Sequence, residues 1–462
     1  MSTVIATFYN FGISPAAGRV RLITSSGSTP TVVSGSGVNL ANTDPIAFYF
    51  NGGSSTGIRV LVVERAYDPV TFFQLPCEIT VYDPSTWAVT VARTTYTYSD
   101  SAALLNVYSL TSPGGVNAGT LFGADYSAGR VFKFVHAKPS TVETLTLASD
   151  YYEFAATGSG ANAFSVDTVF NTESSVNYIY AVAQQYTVSP AGSSDPADYT
   201  YYNSIIVKLT ASNLAASPVD GPDATLAPNV FELQLYDSNL YVTALGGAQW
   251  NNTPIKWNEA SRIQRVALAN LTVTNLVRPA NSTETGKTDD KFDIRSLAIL
   301  SNGDAYILTG SYNASFAYSG RLWQAAISDL DAASNDLISD VVNVVNVPVT
   351  ISSVYGYLWA VLPADDISKV WGMLGVDLGI YDASGIVSGT SAISAGTASQ
   401  WGATGSPSFN AVALAMPSIT RLKGAAPASI KSVRGFVHPL LASRAGVSQE
   451  DFDKFVSSYL SK

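Results

Sequence analysis

Seven aspartates stand at or near the starts of predicted strands: Asp44, Asp167, Asp289, Asp290, Asp293, Asp365 and Asp366. Gathered at one mouth of a closed β-structure, their oxygens would suit Ca²⁺, a hard cation that takes six to eight oxygen ligands. The densest stretch is TGKTDDKFD (Thr285–Asp293), which lacks the spacing of an EF-hand loop. Aspartate also opens strands because it makes turns and caps loop backbone, and that is its commoner role. A second group is aromatic. Trp250, Trp257, Tyr199, Tyr201 and Tyr202 fall in turn-rich stretches, where exposed rings would form a platform for a sugar or a peptide. Packing between neighbouring sheets is the plainer reason for such rings.

Nucleophilic and metal-hydrolytic chemistry has little to stand on. The chain holds no H-E-x-x-H pair and no P-loop. His136 and His438 are its only histidines, one within a predicted strand and one before Pro439. Cys77 is the only cysteine, so no intrachain disulfide and no cysteine-based zinc or haem site can form. It sits between Pro76 and an apolar strand, where a thiol packs as a small hydrophobe. The remaining enzymatic option is a hydrolase with carboxylates working around a divalent cation.

Composition narrows the partners. Charged residues are 13% of 462, about half the usual share of a soluble protein. Net charge is −10, with an isoelectric point near 4.7. An acidic chain is a poor match for nucleic-acid phosphates or an anionic membrane surface. Serine, threonine, asparagine and tyrosine fill the surface instead, which suits an exported β-protein. The opening MSTVIATFYNFG has no basic segment followed by an apolar run, so no signal peptide is read there. No apolar run approaches the roughly 20 residues that a membrane-spanning helix needs.

The elements that must position these residues are strands. Asn229–Leu276 holds four short apolar runs, Phe231–Leu235, Asn239–Leu245, Arg262–Leu268 and Leu271–Leu276, parted by turn formers. Such a stretch reads as a four-stranded antiparallel meander. Its second half, an apolar run, then Asp, Asn or Ser, then another apolar run, recurs along the chain. Aligning Val20, Ile79, Val131, Ile206, Ile263, Leu322 and Leu378 gives steps of 59, 52, 75, 57, 59 and 56. The long step contains Thr187–Asn203, TVSPAGSSDPADYTYYN, read as a 17-residue loop. Four strands per period of this length predict an all-β, seven-bladed β-propeller, whose blades bury their faces only against neighbours. An inner pair in Phe409–Leu422 and outer-type strands near the N-terminus would share the last blade, removing exposed edges. The count is six if the first 35 residues form a cap instead.

From Thr3 to about Arg421 the pattern resembles the broad group of extracytoplasmic bacterial β-propellers of the YVTN or lactonase-like repeat type. Outer strands such as EITVYDPSTWAVTV, from Glu78, carry the likeness. VYDPSTWAV (Val81–Val89) also resembles the sialidase Asp box, without its glycine and only once. The resemblance implies location outside the cytoplasm, and it covers lactonase-like enzymes, quinoprotein dehydrogenases, sialidases and binding scaffolds alike. Residues 1–435 are expected to form the propeller. Residues 436–462 are expected to form a helical tail: Phe452, Phe455, Val456, Tyr459 and Leu460 make one apolar stripe, behind Ser448-Gln449-Glu450-Asp451 as an N-terminal cap. That stripe would pack on the propeller or join a second subunit. The reading favoured for the whole is a non-enzymatic binding or scaffold propeller for a protein or carbohydrate ligand.

Overall fold

The structure is a computed structural model. It describes residues 2–349 with breaks, chiefly at 11–16, 26–29, 52–57, 69–74, 113–119, 136–145, 191–197, 250–255, 258–260, 280–292, 313–317 and 342–344. Beyond residue 349 it describes the strands at 358–363, 369–374, 377–382, 395–396, 409–415 and 430–434. The expected tail lies outside the described residues, as do His136, His438, Asp289, Asp290, Asp365, Asp366 and Trp250.

Antiparallel strands follow one another in sets of four. The chain opens with β1 (Ser2–Asn10), β2 (Ala17–Ser25), β3 (Pro30–Val32) and β4 (Val38–Ala41). Next, β5 (Thr43–Asn51), β6 (Ile58–Ala66), β7 (Glu78–Tyr82) and β8 (Val89–Thr95) pair in chain order. A two-residue strand, β9 (Thr97–Tyr98), leads to β10 (Val107–Ser112), β11 (Thr120–Asp125) and β12 (Arg130–Val135). The short β13 (Thr146–Leu147) pairs with β9, and β14 (Tyr151–Glu153) completes the sheet on β12. The longest set is β15 (Asn162–Glu173), β16 (Val176–Val188), β17 (Tyr199–Thr210) and β18 (Asp220–Leu226).

The meander predicted at Asn229–Leu276 is the next sheet. It comprises β19 (Val230–Tyr236), β20 (Asn239–Ala244), β23 (Arg262–Ala267) and β24 (Val273–Arg278). A small separate ladder, β21 (Ala248–Gln249) with β22 (Lys256–Trp257), interrupts it. Then β25 (Asp293–Ile299), β26 (Asp304–Tyr312) and β27 (Tyr318–Ala326) are followed by α1 (Ile327–Ala332), the one α-helix among the described residues. The two-residue β28 (Asp336–Leu337) lies along β24, and β29 (Val345–Val349) completes the sheet on β27. β30 (Leu358–Pro363), β31 (Lys369–Leu374), β32 (Asp377–Asp382) and β33 (Ala395–Gly396) come next, and β34 (Phe409–Ala415) and β35 (Ile430–Arg434) close the described chain.

All seven residues aligned from sequence fall on the third strand of a set: β2, β7, β12, β17, β23, β27 and β32. Val20, Ile79, Val131, Ile206 and Ile263 are buried there. The first strand of each set packs on the first strand of the next, β10 on β15, then β19, β25 and β30, while β34 and β1 pack on β5. Sheets stacked in this way around a centre make a β-propeller. Burial follows from the stacking. Strand β16 keeps eight consecutive residues, Ile179–Tyr186, buried on both faces, whereas only Leu226 of the outer strand β18 is buried.

The two ends meet, though not two strands against two. Strand β34 pairs with β1, β1 with β2, and β2 with both β3 and β4, so the N-terminus gives the larger share. On its other side β34 pairs with β35, which also pairs with β10. Two sets are thereby joined into one ten-stranded sheet. The pattern of Phe409–Leu422 predicts both inner strands together. The described partner lies later, at Ile430–Arg434, I-K-S-V-R, where adjacent Lys431 and Ser432 break the alternation that marks a strand.

One feature repeats in five successive first strands. Strands β10, β15, β19, β25 and β30 each slip register by one residue against their neighbour, at Tyr108, Val166, Phe231, Arg295 and Trp359. A bulge leaves backbone groups outside the ladder. In two sets the residue just after it is acidic, and its carboxylate takes up such a group in the next sheet. Asp167 Oδ2 accepts the N–H of Leu233 at 2.7 Å. Glu232, the same position one sheet on, accepts the N–H of Leu297 at 3.2 Å and the Ser296 hydroxyl at 3.1 Å. Replacing Asp167 by Ala leaves the Leu233 N–H buried without its acceptor. The variant is expected to lose about 2 kcal/mol of unfolding free energy in urea titration, and Asp167→Asn, which keeps an oxygen, to lose less.

Candidate functional site

The 75-residue step is accounted for by longer strands more than by loop. β16 runs on to Val188 and β17 begins at Tyr199, with Val188 opposite Tyr199 and the Ser189 N–H bonded to Asp198 O at 3.0 Å. Much of Thr187–Asn203, read from sequence as loop, is therefore the end of a long hairpin. The reason lies in Tyr199-Thr200-Tyr201-Tyr202, which combines high β-propensity with alternation: Tyr199 is buried and Thr200 exposed.

Within this hairpin the ladder opens. Ala183 faces Ile205 and Gln185 faces Tyr202, so β17 places Asn203 and Ser204 where β16 has only Gln184. The buried Gln185 carboxamide fills the gap. Its Oε1 accepts the N–H groups of Thr157 and Gly158, at 2.8 and 3.1 Å. Its Nε2 donates to Asn203 O at 2.5 Å and to Thr157 Oγ1 at 2.9 Å. One side chain thus ties the segment between β14 and β15 to the opened strand.

In front of it lies a cavity of about 400 Å³. Thr157 and Gly158 form one wall, and Tyr201, Tyr202 and Asn203 form another. Ala224 and Pro228 close the side towards β18. The Tyr202 hydroxyl donates to Ser159 O at 3.2 Å, and Gly158 lies directly against the ring. A Cβ on Gly158 would come within 2.5 Å of Tyr202 Cγ, so only glycine permits this approach. The ring is held from behind and at its tip. Asn203 is exposed, and its amide makes one long bond, 3.4 Å, to Ala224 O.

Tyr201 belongs to the cavity and to an aromatic ladder behind it. Tyr108, Tyr126, Phe164 and Tyr186 stack with centroids 4.9, 4.9 and 4.5 Å apart. Tyr199 and Tyr201 then pack on Tyr186, at 5.4 and 5.6 Å. Such contacts stiffen the wall, each contributing about 1 kcal/mol beyond area burial. Burial pushes the Tyr199 and Tyr201 phenols above their ordinary pKa, so both are neutral at physiological pH. The described lining residues include no carboxylate, ammonium or guanidinium, and the site presents hydroxyls, amides and ring surface.

Of the five aromatic residues singled out from sequence, Tyr201 and Tyr202 line this cavity and Tyr199 supports it. Trp257 lies in the β21–β22 ladder, opposite Ala248, outside the cavity's described lining. Gln185, Gly158, Thr157 and Asn203 carried no signal of chemistry in the sequence. The Gln184-Gln185 pair inside an otherwise apolar strand was the available sign of an interrupted ladder.

The aspartates are placed differently. Asp44 lies in β5 opposite Arg65, and Asp293 begins β25 opposite Gly310. Asp167 spends both carboxylate oxygens on backbone, with Oδ1 accepting from Thr168 N at 2.9 Å. Among the described residues no three of His, Cys, Asp or Glu are grouped to hold a metal ion. Cys77 is buried, and its Sγ donates to Leu105 O at 2.7 Å.

The sequence matches no family model and no curated protein. Solved structures give low-identity matches. The β-propeller domain of the Trilobed protease from Pyrococcus furiosus, described as having an open velcro topology, is 9% identical. It matches at a TM-score of 0.36 over 79% of this chain and 92% of its own. The extracellular domain of the one-component-system protein BT4673 from B. thetaiotaomicron is 10% identical, at a TM-score of 0.34. That match covers 82% of this chain and 38% of the other. A DUF4623 family protein from Bacteroides eggerthii is 12% identical, at 0.27, over 74% and 71%. At these scores the fold rests on the strand ladders themselves.

Proposed function

We propose that this chain is an exported, seven-bladed, non-enzymatic binding propeller that takes a small uncharged ligand between the Thr157–Gly158 segment and Tyr201–Asn203. The seven-blade count is supported by dividing the ten-stranded sheet at β35. Export is supported by the charge-poor, hydroxyl-rich composition. No helix among the described residues is long and apolar enough to cross a membrane.

One observation carries the binding reading: Tyr202 is fixed by Gly158 and Ser159 yet still lines an open cavity. A rigid ring at a cavity wall binds without losing rotamer freedom, which lowers the entropic cost of association. Among the described residues that line this wall there is no carboxylate, histidine or cysteine.

Replacing Tyr202 by Ala removes the ring and leaves the buried Gln185 network in place. Ligand-observed NMR with a mixed library of small saccharides and short peptides should detect binders of the wild type. Their affinity for the variant should fall about tenfold or more, the loss of roughly 1.4 kcal/mol that one aromatic contact supplies. Equal binding to both proteins would place the site elsewhere.

A further inference from the structure

We infer that the ligand of the Tyr201–Tyr202 cavity is a neutral saccharide, an inference that rests on the binding reading above and narrows it. The lining holds no carboxylate, ammonium or guanidinium among its described residues. A charged ligand would leave water there without meeting a countercharge, which is costly. What the walls offer is hydroxyl and amide chemistry. The Tyr202 hydroxyl, which donates to Ser159 O, can still accept, and the Asn203 amide both donates and accepts, as does every hydroxyl of a sugar.

The backbone at the site is already committed. Gln185 occupies the N–H groups of Thr157 and Gly158 and the carbonyl of Asn203, and Tyr202 pairs with Gln185 across the ladder. A peptide docking by strand addition requires free main-chain donors and acceptors along an edge, and these are the ones spent. A sugar requires side chains and a ring face. The C–H bonds on one face of a pyranose carry slight positive charge and pack against the negative face of an aromatic ring. Tyr202, held by Ser159 O and Gly158, presents such a surface at a cavity whose volume lies at the low end of small-molecule sites.

Gly158 sets the depth of the site. Its missing Cβ lets the segment press on the Tyr202 ring, so any larger residue moves the ring into the cavity.

The experiment is a titration of the full chain with maltose, cellobiose and lactose. Their uronic-acid counterparts and a neutral tetrapeptide pool are run in parallel. The wild type is compared with Tyr202→Ala, Tyr202→Phe and Asn203→Ala, each first shown to melt as the wild type does. Tyr202→Phe removes only a hydroxyl and Asn203 is exposed, so these two variants serve if Tyr202→Ala folds poorly. A neutral disaccharide should bind, its uronic acid should bind at least fivefold more weakly, and each substitution should weaken binding fivefold or more. Binding by peptides alone, lost in Tyr202→Ala, overturns the saccharide and leaves the cavity as the binding site. Saccharide binding untouched by all three variants overturns both readings, as does a protein that binds neither class.

Discussion

A chain lacking residues 1–25 is expected to be recovered as aggregate, or as a species with no cooperative melting transition. Strands β1 and β2 form nine backbone pairs from Ser2–Ser25 to Asn10–Ala17. β1 also pairs with β34 from Ile5–Ala415 to Asn10–Phe409. Ile5 and Val20 are fully buried and belong to the same apolar cluster as Ile46, Phe48, Leu61 and Val63 of β5 and β6. Without the first two strands, β34 loses the partner on one side and becomes an open edge, and β5 loses the face it packs on. Domains of this kind rest on a net stability of about 5–15 kcal/mol, and the apolar and hydrogen-bonded contacts removed exceed that margin. Solubility and thermal melting of the truncated chain give the test. A soluble product that melts at the wild-type temperature would show that the ring does not depend on its terminal strands.

Replacement of Asp125 by Ala is expected to destabilise the protein by about 4 kcal/mol, more than any other single change named here. The residue is fully buried at the end of β11. Its carboxylate accepts the N–H groups of Leu105, Asn106 and Ala128 and the hydroxyl of Tyr98, at 3.2, 3.1, 3.3 and 3.0 Å. Alanine leaves all four donors stranded, and the connection from β9 to β10 loses its anchor. The pH dependence has a definite sign. Burial raises the Asp125 carboxyl above its ordinary value of 3.8, and the four hydrogen bonds only partly oppose it. The folded state thus binds this proton more tightly than the unfolded chain. The stability it contributes is fully present below the unfolded pKa and is lost as pH rises through the folded one. The stability gap between wild type and Asp125→Asn should therefore be widest in acid and narrow with rising pH. A gap that widens with pH would mean that the hydrogen bonds outweigh burial.

Much of the architecture was legible because a propeller repeats. Val20, Ile79, Val131, Ile206 and Ile263 are equivalent in sequence and in burial, since the third strand of each set is covered on both faces. Closure was legible in kind but misdivided: β34 meets β1, yet its second partner is Ile430–Arg434. The bulges were illegible. At Tyr108, Val166 and Phe231 the ladder skips a residue where alternation alone predicts an ordinary strand position. Asp167 stood out as an acid at a strand start, but its task, capping Leu233 in the next sheet, depends on a contact 66 residues away. The cavity was half legible. Tyr201 and Tyr202 are conspicuous in Y-T-Y-Y, whereas Gln185 and Gly158 matter only because a long hairpin brings residues 27 apart within hydrogen-bond reach.

The functional account is tested most directly by amide hydrogen exchange of the full chain, with and without a mixture of neutral disaccharides at millimolar concentration. Exchange reports local opening residue by residue, so it locates a ligand without presupposing where it sits. Added protection is predicted at Thr157–Gly158 and at Tyr201–Asn203, with none on the first strands β5, β10, β15 and β19. Protection confined to those first strands, where the chain converges on its centre, would contradict the account and move the ligand to the channel.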